Sequence, residues 1–142
     1  MAATLATARD QLESRLVDST NLIFSTATLD EAFRASIAEV SAAYGSAVTL
    51  KDLDSAASTT FDDADLITVI TGAHAYALRF RMIDRFEEAS PIREHPEDLA
   101  QWANDMMNEF QGLLTHIRLR RFQESIDNPY TAWDWEDGDN FT

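Results

Sequence analysis

The sequence predicts an all-α fold, a small bundle of about four helices, on three observations. Apolar residues recur at three- and four-residue spacing along most of the chain. Only four glycines and three prolines occur among 142 residues, too few for the many tight turns of an all-β protein. Hydrophobic residues make up 45%, which supports one real core in a chain the size of a single domain. The expected architecture has a long antiparallel helix pair, a long loop after the second helix and an extended C-terminal tail. It divides into a helical bundle domain at 1–126 and an acidic, aromatic segment at 127–142.

The first helix is expected from about Thr4 to Val17, where Leu5, Ala8, Leu12 and Leu16 share one face, and DSTN at 18–21 ends it. A second start signal stands at Thr28-Leu29-Asp30-Glu31, a threonine cap with a glutamate three residues on. Leu29, Phe33, Ser36, Ile37, Val40 and Tyr44 then form a stripe, and Gly45 fits the stop. Residues 46–61 are irregular, with Val48 and Leu50 alternating as in a short strand and SAASTT reading as loop.

Asp62 and Asp65 open the third helix, whose stripe of Leu66, Val69, Ala73, Tyr76, Phe80 and Ile83 runs to about Ala89. SPIREHP at 90–96 makes a turn, with Pro96 at or near the first position of the next helix. Leu99, Ala103, Met106, Phe110, Leu113 and Ile117 keep the period, and Leu119, Phe122 and Ile126 carry a rotated face onward. Gly72 and Gly112 lie inside long helices, where glycine costs about 1 kcal/mol against alanine. Close helix approach is the expected reason for both.

A net charge of −14 argues against binding to nucleic acid or an anionic membrane, both of which need basic surface. The basic residues are ten Arg and one Lys, Lys51, and the acids are fifteen Asp and ten Glu. That usage matches proteins of salt-loving organisms, because at molar salt the Debye length falls to about 3 Å and a crowded acidic surface stops repelling itself. An acidic DNA-mimic inhibitor is the alternative, but mimicry accounts for the acids and not for the missing lysines. No stretch reaches the eighteen or so apolar residues of a membrane span, and the start lacks a basic segment followed by an apolar run. The expectation is a soluble, unexported chain with no membrane partner.

Chemistry-bearing motifs are not found. Without cysteine there is neither a disulfide framework nor a thiolate site. His74, His95 and His116 lack partners at metal-ligand spacing, and the glycines at 45, 72, 112 and 138 cannot write a phosphate loop or a nucleophile turn. The chain reads as a non-enzyme with no cofactor and no metal.

Two arginine groups stand against the acidic background: Arg79, Arg81 and Arg85 on the third helix, and Arg118, Arg120 and Arg121 on the fourth. They can pair within a helix, as Arg120 with Glu124, or bind carboxylates of a neighbouring chain through parallel hydrogen bonds. The tail NPYTAWDWEDGDNFT supplies such carboxylates, together with Tyr130, Trp133, Trp135 and Phe141. Four aromatic side chains of ~150 to 250 Å² each, at ~25 cal/mol per Å², contribute at most about 20 kcal/mol on docking. Ordering about sixteen residues at roughly 1.5 kcal/mol each opposes this with a similar amount. One tail is thus a marginal binder, effective when many copies engage a rigid partner together.

In ARDQLESRLVDSTNLIFSTATLDEAFRASIAEVSAAYG, in the alanine-rich DDADLITVITGAHAYALRFRMIDRF, in the further helix and in the extended end, the chain resembles the head-to-tail connector, or adaptor, proteins of tailed viruses. The resemblance spans nearly the whole chain and is a pattern of helices and spacings. It implies a structural virion protein that forms a ring of neighbouring copies, commonly a dodecamer, beneath the portal protein. Such a ring sits in the neck between capsid and tail, is assembled in the host cytoplasm, and offers a platform to a tail or stopper protein. DNA passes through its acidic channel without specific binding. The portal-binding segment would be 127–142, with Tyr130, Trp133, Trp135 and Phe141 as anchors, and the extreme acidity would suit a virus of a halophilic archaeon. Another neck or tail-completion protein of similar size shares the same pattern.

Overall fold

The computed structural model describes residues 3–18, 21, 23–87 and 96–132, with side chains to 83 in the first part and from 98 to 124 in the last. Among them are four α-helices and no strand: α1 (Leu5–Leu16), α2 (Thr26–Tyr44), α3 (Leu66–Glu87) and α4 (Pro96–Ala132).

Each helix end has a local cause. Thr4 caps α1 and exchanges hydrogen bonds with Thr7, whose amide donates to the Thr4 hydroxyl at 3.3 Å while the Thr4 amide donates to the Thr7 hydroxyl at 3.0 Å. The cap of α2 is Ser25, not Thr28; Thr28 is the residue whose amide Ser25 accepts, at 3.2 Å. A hydroxyl stands at both positions, and the earlier one wins because the helix gains a further turn that buries Leu29. Gly45, at φ +76°, closes α2 as its sequence position implies.

Asp18 organises the turn between α1 and α2. Its buried carboxylate accepts the amides of Ile23 at 3.1 Å and Phe24 at 2.8 Å, which lets Phe24 enter the core.

The connection from 46 to 65 is long, as expected, but it contributes to the core instead of lying over it. Val48, Leu50, Leu53 and Phe61 are all buried. The alternation of Val48 and Leu50 gives no strand; a single parallel bridge joins Thr4 to Lys51, through the Leu5 amide on the Lys51 carbonyl at 2.9 Å. Hydroxyls of Thr49, Thr59 and Thr60 pair with backbone groups of the loop, as in Lys51 N donating to Thr59 at 2.9 Å. A short 3-10 turn, Asp63–Asp65, leads into α3.

Helices α3 and α4 form the expected antiparallel pair. Asp65 meets Arg120, Gly72 faces Phe110 and His74 meets Trp102, so one number rises as the other falls. Helix α3 lies between α2 and α4 and buries two faces, which is why Ala73, Ala75 and Ala77 are fully covered beside Val69, Ile70 and Leu78. Phe80 only packs against the edge of this core and Ile83 is exposed, so the stripe predicted for α3 holds best in its first half.

The two helical glycines separate. A Cβ on Gly72 would stand 2.3 Å from Ser36 Oγ and 2.6 Å from the Phe110 ring, so α2, α3 and α4 converge there. Gly112 meets nothing within 4 Å among the described residues, and the close approach expected of it is not made by any of them. Helix α4 also continues to Ala132, past the boundary at 126, so 127–132 begin as helix in place of the extended segment expected there.

Candidate docking site

Helix α4 carries two different surfaces beyond Leu113. Toward the body, Leu114 and Ile117 are buried and Arg120 reaches Asp65. Away from it, Leu119 is 52% and Phe122 61% exposed, three residues apart and therefore on one face. Ile67, 46% exposed at the start of α3, shares with Leu119 a groove of about 490 Å³ also lined by Thr68, Leu113, His116 and Gln123, and Phe122 extends the apolar surface outside it. The rotated face read from Leu119 and Phe122 thus points to solvent; Ile126, its third member, has a side chain outside those described.

The body side of this region is held by a polar cluster. Asp65, 4% exposed, accepts two hydrogen bonds from the Arg120 guanidinium, at 3.1 and 2.6 Å, and one from the Tyr44 hydroxyl. Tyr44 in turn accepts the Asp62 amide at 3.1 Å, and the Arg121 guanidinium lies 4.9 Å over its ring. Burial would raise the Asp65 carboxyl, but the hydrogen bonds from Arg120 and Tyr44 outweigh it and hold the carboxyl below its ordinary value. Burial and the bond to Asp65 push the Tyr44 phenol up, and the bond to Asp65 raises Arg120 against the opposing effect of burial. Asp65 and Arg120 therefore stay ionised with Tyr44 as a neutral donor, and together they fix the register of α4 against α2 and α3.

The arginines singled out from sequence are not equivalent. Arg120 pairs with Asp65, not with Glu124, because a buried carboxylate needs a counter-charge more than an exposed one does. Arg121 reaches Glu124 at 3.8 Å, Arg118 is exposed, and Arg79 lies 5.8 Å over the Tyr76 ring. Arg81 is half-buried on α3, and the side chain of Arg85 is outside those described. Of the four expected anchors, Tyr130 lies on α4 without a described side chain, and Trp133, Trp135 and Phe141 are outside the described residues.

A second unusual group is His74, 5% exposed, with its ring edge-on to Trp102 at a centroid distance of 5.3 Å. Neither ring nitrogen has a hydrogen-bond partner among the described residues. Burial, with a smaller contribution from the Arg15 charge, lowers its pKa to about 4. Arg15 instead donates to Thr71 at 3.2 Å. Among the described residues no group of three or more His, Asp or Glu is placed to hold a metal ion. No helix there is long and apolar enough to cross a membrane.

The region between α3 and α4 is thus suited to binding a protein segment: apolar side chains in a shallow groove, arginines beside them, and a rigid backing. No family model, curated protein or solved structure matches the chain.

Proposed function

We propose that this chain is a structural adaptor of a tailed virus, assembled as a ring beneath the portal and joining capsid to tail. The observation that carries this reading is the outward face of α4, where Leu119 and Phe122 stand more than half exposed just before an aromatic C-terminal segment. Exposed apolar side chains in a row on a rigid helix serve a protein partner. A DNA mimic needs carboxylates there and has no use for them. In this reading the helical body forms the ring wall, the segment 127–142 reaches the portal, and the −14 charge keeps the channel from holding DNA. The bearing residues are structural, so no catalytic step is assigned.

The test is to incubate the full chain, and a chain ending at Ala132, with filled, tailless capsids that carry a portal, and to measure the protein that sediments with them. Ending at Ala132 keeps α4 whole. Binding of the full chain and its loss on truncation is the expected result. Equal sedimentation of both would move the contact to the helical body, and no sedimentation of either would remove the adaptor reading.

A further inference from the structure

The face formed by Leu119 and Phe122 needs a cover, and both charge and chain length identify one. From His116 to Gln123 the sequence HIRLRRFQ contains three arginines and no carboxylate, which sets it apart in a chain of −14. Arg118 is exposed beside Phe122, one helical turn away. The carboxylates that do approach this strip are Asp65 and Asp62 from the entrance to α3, both near Arg120, and Glu124 on α4 itself, near Arg121. A strongly acidic ligand is repelled by most of this protein and accepted here. The sequence after Ala132, WDWEDGDNFT, is such a ligand: Trp133 and Trp135 alternate with Asp134 and Glu136, so it brings two indoles for the apolar surface and two carboxylates for the arginines at its rim.

We infer that Trp133 and Trp135 of one copy dock on the Leu119, Phe122 and Ile67 surface of another copy, with Asp134 and Glu136 turned toward arginines such as Arg118. The donor must be a second molecule. Leu119 lies thirteen residues before Ala132 on α4, about 20 Å back along the axis at ~1.5 Å per residue. Trp133 and Trp135 follow Ala132 by one and three residues, so their Cα atoms lie within about 10 Å of it at most, and the reversal of direction needed uses up most of that reach. Neither indole can lie on Leu119 of its own helix.

The contact is head-to-tail: each copy offers one segment and one groove. Such an arrangement closes into a ring or continues as a filament. It rests on the adaptor reading only in giving the ring a use, and it refines that reading by assigning the two tryptophans to the neighbouring copy. Phe141 and the last residues are left to extend toward another partner.

Analytical ultracentrifugation of the full chain, at low and at molar salt, tests it by complementation. The full chain should self-associate with rising concentration. Leu119→Asp, which spoils the groove, and the double variant Trp133→Ala/Trp135→Ala, which spoils the segment, should each weaken association by about thirtyfold or more. Mixed together, the two variants should form heterodimers that grow no further, since one intact groove meets one intact segment. Arg118→Glu, a surface change distant from the core, should weaken association by about tenfold at low salt and less at molar salt. Circular dichroism checks that each variant keeps its helices. A full chain that stays monomeric, a tryptophan variant that associates like the parent, or a mixture that forms no heterodimer overturns the inference. Capsid cosedimentation is read separately: a full chain that sediments with capsids yet stays monomeric in solution overturns this inference and leaves the adaptor reading in place, whereas one that self-associates as expected and never sediments does the reverse.

Discussion

Arg120 on α4 holds Asp65, fifty-five residues away at the entrance to α3, through two hydrogen bonds of 3.1 and 2.6 Å. The pair couples the last part of the body to its middle, and Tyr44 joins α2 to the same carboxylate. Because Asp65 is nearly covered while the Arg120 side chain is 37% exposed, the carboxylate is the member that cannot lose its partner.

Arg120→Ala should therefore destabilise the protein by about 2 to 3 kcal/mol, somewhat less than the 3 to 5 kcal/mol of a fully buried pair because water can reach the arginine. Asp65→Asn in the Arg120→Ala background should restore part of the loss, since the buried charge is gone. Urea unfolding of the single and double variants measures both. Equal midpoints for parent and Arg120→Ala would mean that the pair carries no net stability.

Acid should act on His74 first. Its folded-state pKa of about 4 lies below the unfolded value of 6.5, so the unfolded chain binds the proton more readily. Stability present above pH 6.5 is lost as pH falls toward 4, by up to about 3 kcal/mol. The lowered carboxyl of Asp65 contributes in the same direction but only at lower pH, as the solution passes below the ordinary carboxylate range and through its folded value. In His74→Phe the decline between pH 6.5 and 4 should flatten, read as the melting temperature of parent and variant across that window. Parallel curves would show that His74 is not the group that titrates.

Alanine at the two helical glycines should have opposite effects. Gly112→Ala meets open space and should stabilise by about 0.5 to 1 kcal/mol through helix propensity. Gly72→Ala drives a methyl into Ser36 and Phe110 and should destabilise by about 1 to 3 kcal/mol despite the same propensity gain. Thermal unfolding of the pair gives the comparison directly, and a shift of the same sign in both would contradict the packing around Gly72.

Salt should matter more than for an ordinary domain. With twenty-five carboxylates against eleven basic side chains, self-repulsion opposes the compact state, and raising potassium chloride to molar levels should raise the melting temperature steeply. A flat response would separate the acidic composition from any saline habitat.

The helices were legible because their apolar residues repeat: Leu5, Ala8, Leu12 and Leu16 on α1, and Leu29, Phe33, Val40 and Tyr44 on α2, are all buried. Gly45 and Pro96 marked an end and a start for reasons that act within a few residues. Asp65 was different. In a chain with fifteen aspartates nothing local separates a buried one from a helix-starting one, and its partners come from residues 44 and 120. Asp18 hid in the same way, since an acid ending a helix gives no sign that it will bind the next turn's amides. At the docking site, periodicity revealed that Leu119 and Phe122 form a separate face from Leu114 and Ile117, but not that this face is open to solvent. That depends on where α3 begins, which is a matter of tertiary arrangement.

Helix α4 has a mechanical consequence. Its thirty-seven residues measure about 55 Å, yet the antiparallel partner starts at Leu66, next to the Arg120 contact. Residues 121–132 run on past that start for about 18 Å as a cantilever. A pull on the chain beyond Ala132 becomes a torque about the root of that rod, and the root is where Arg120 is fastened to Asp65 and Arg121 rests on Tyr44. Load applied at the C-terminus is thereby delivered to a charged joint shared by three helices before it reaches the alanine-lined seam of α3, where a small displacement would open the core.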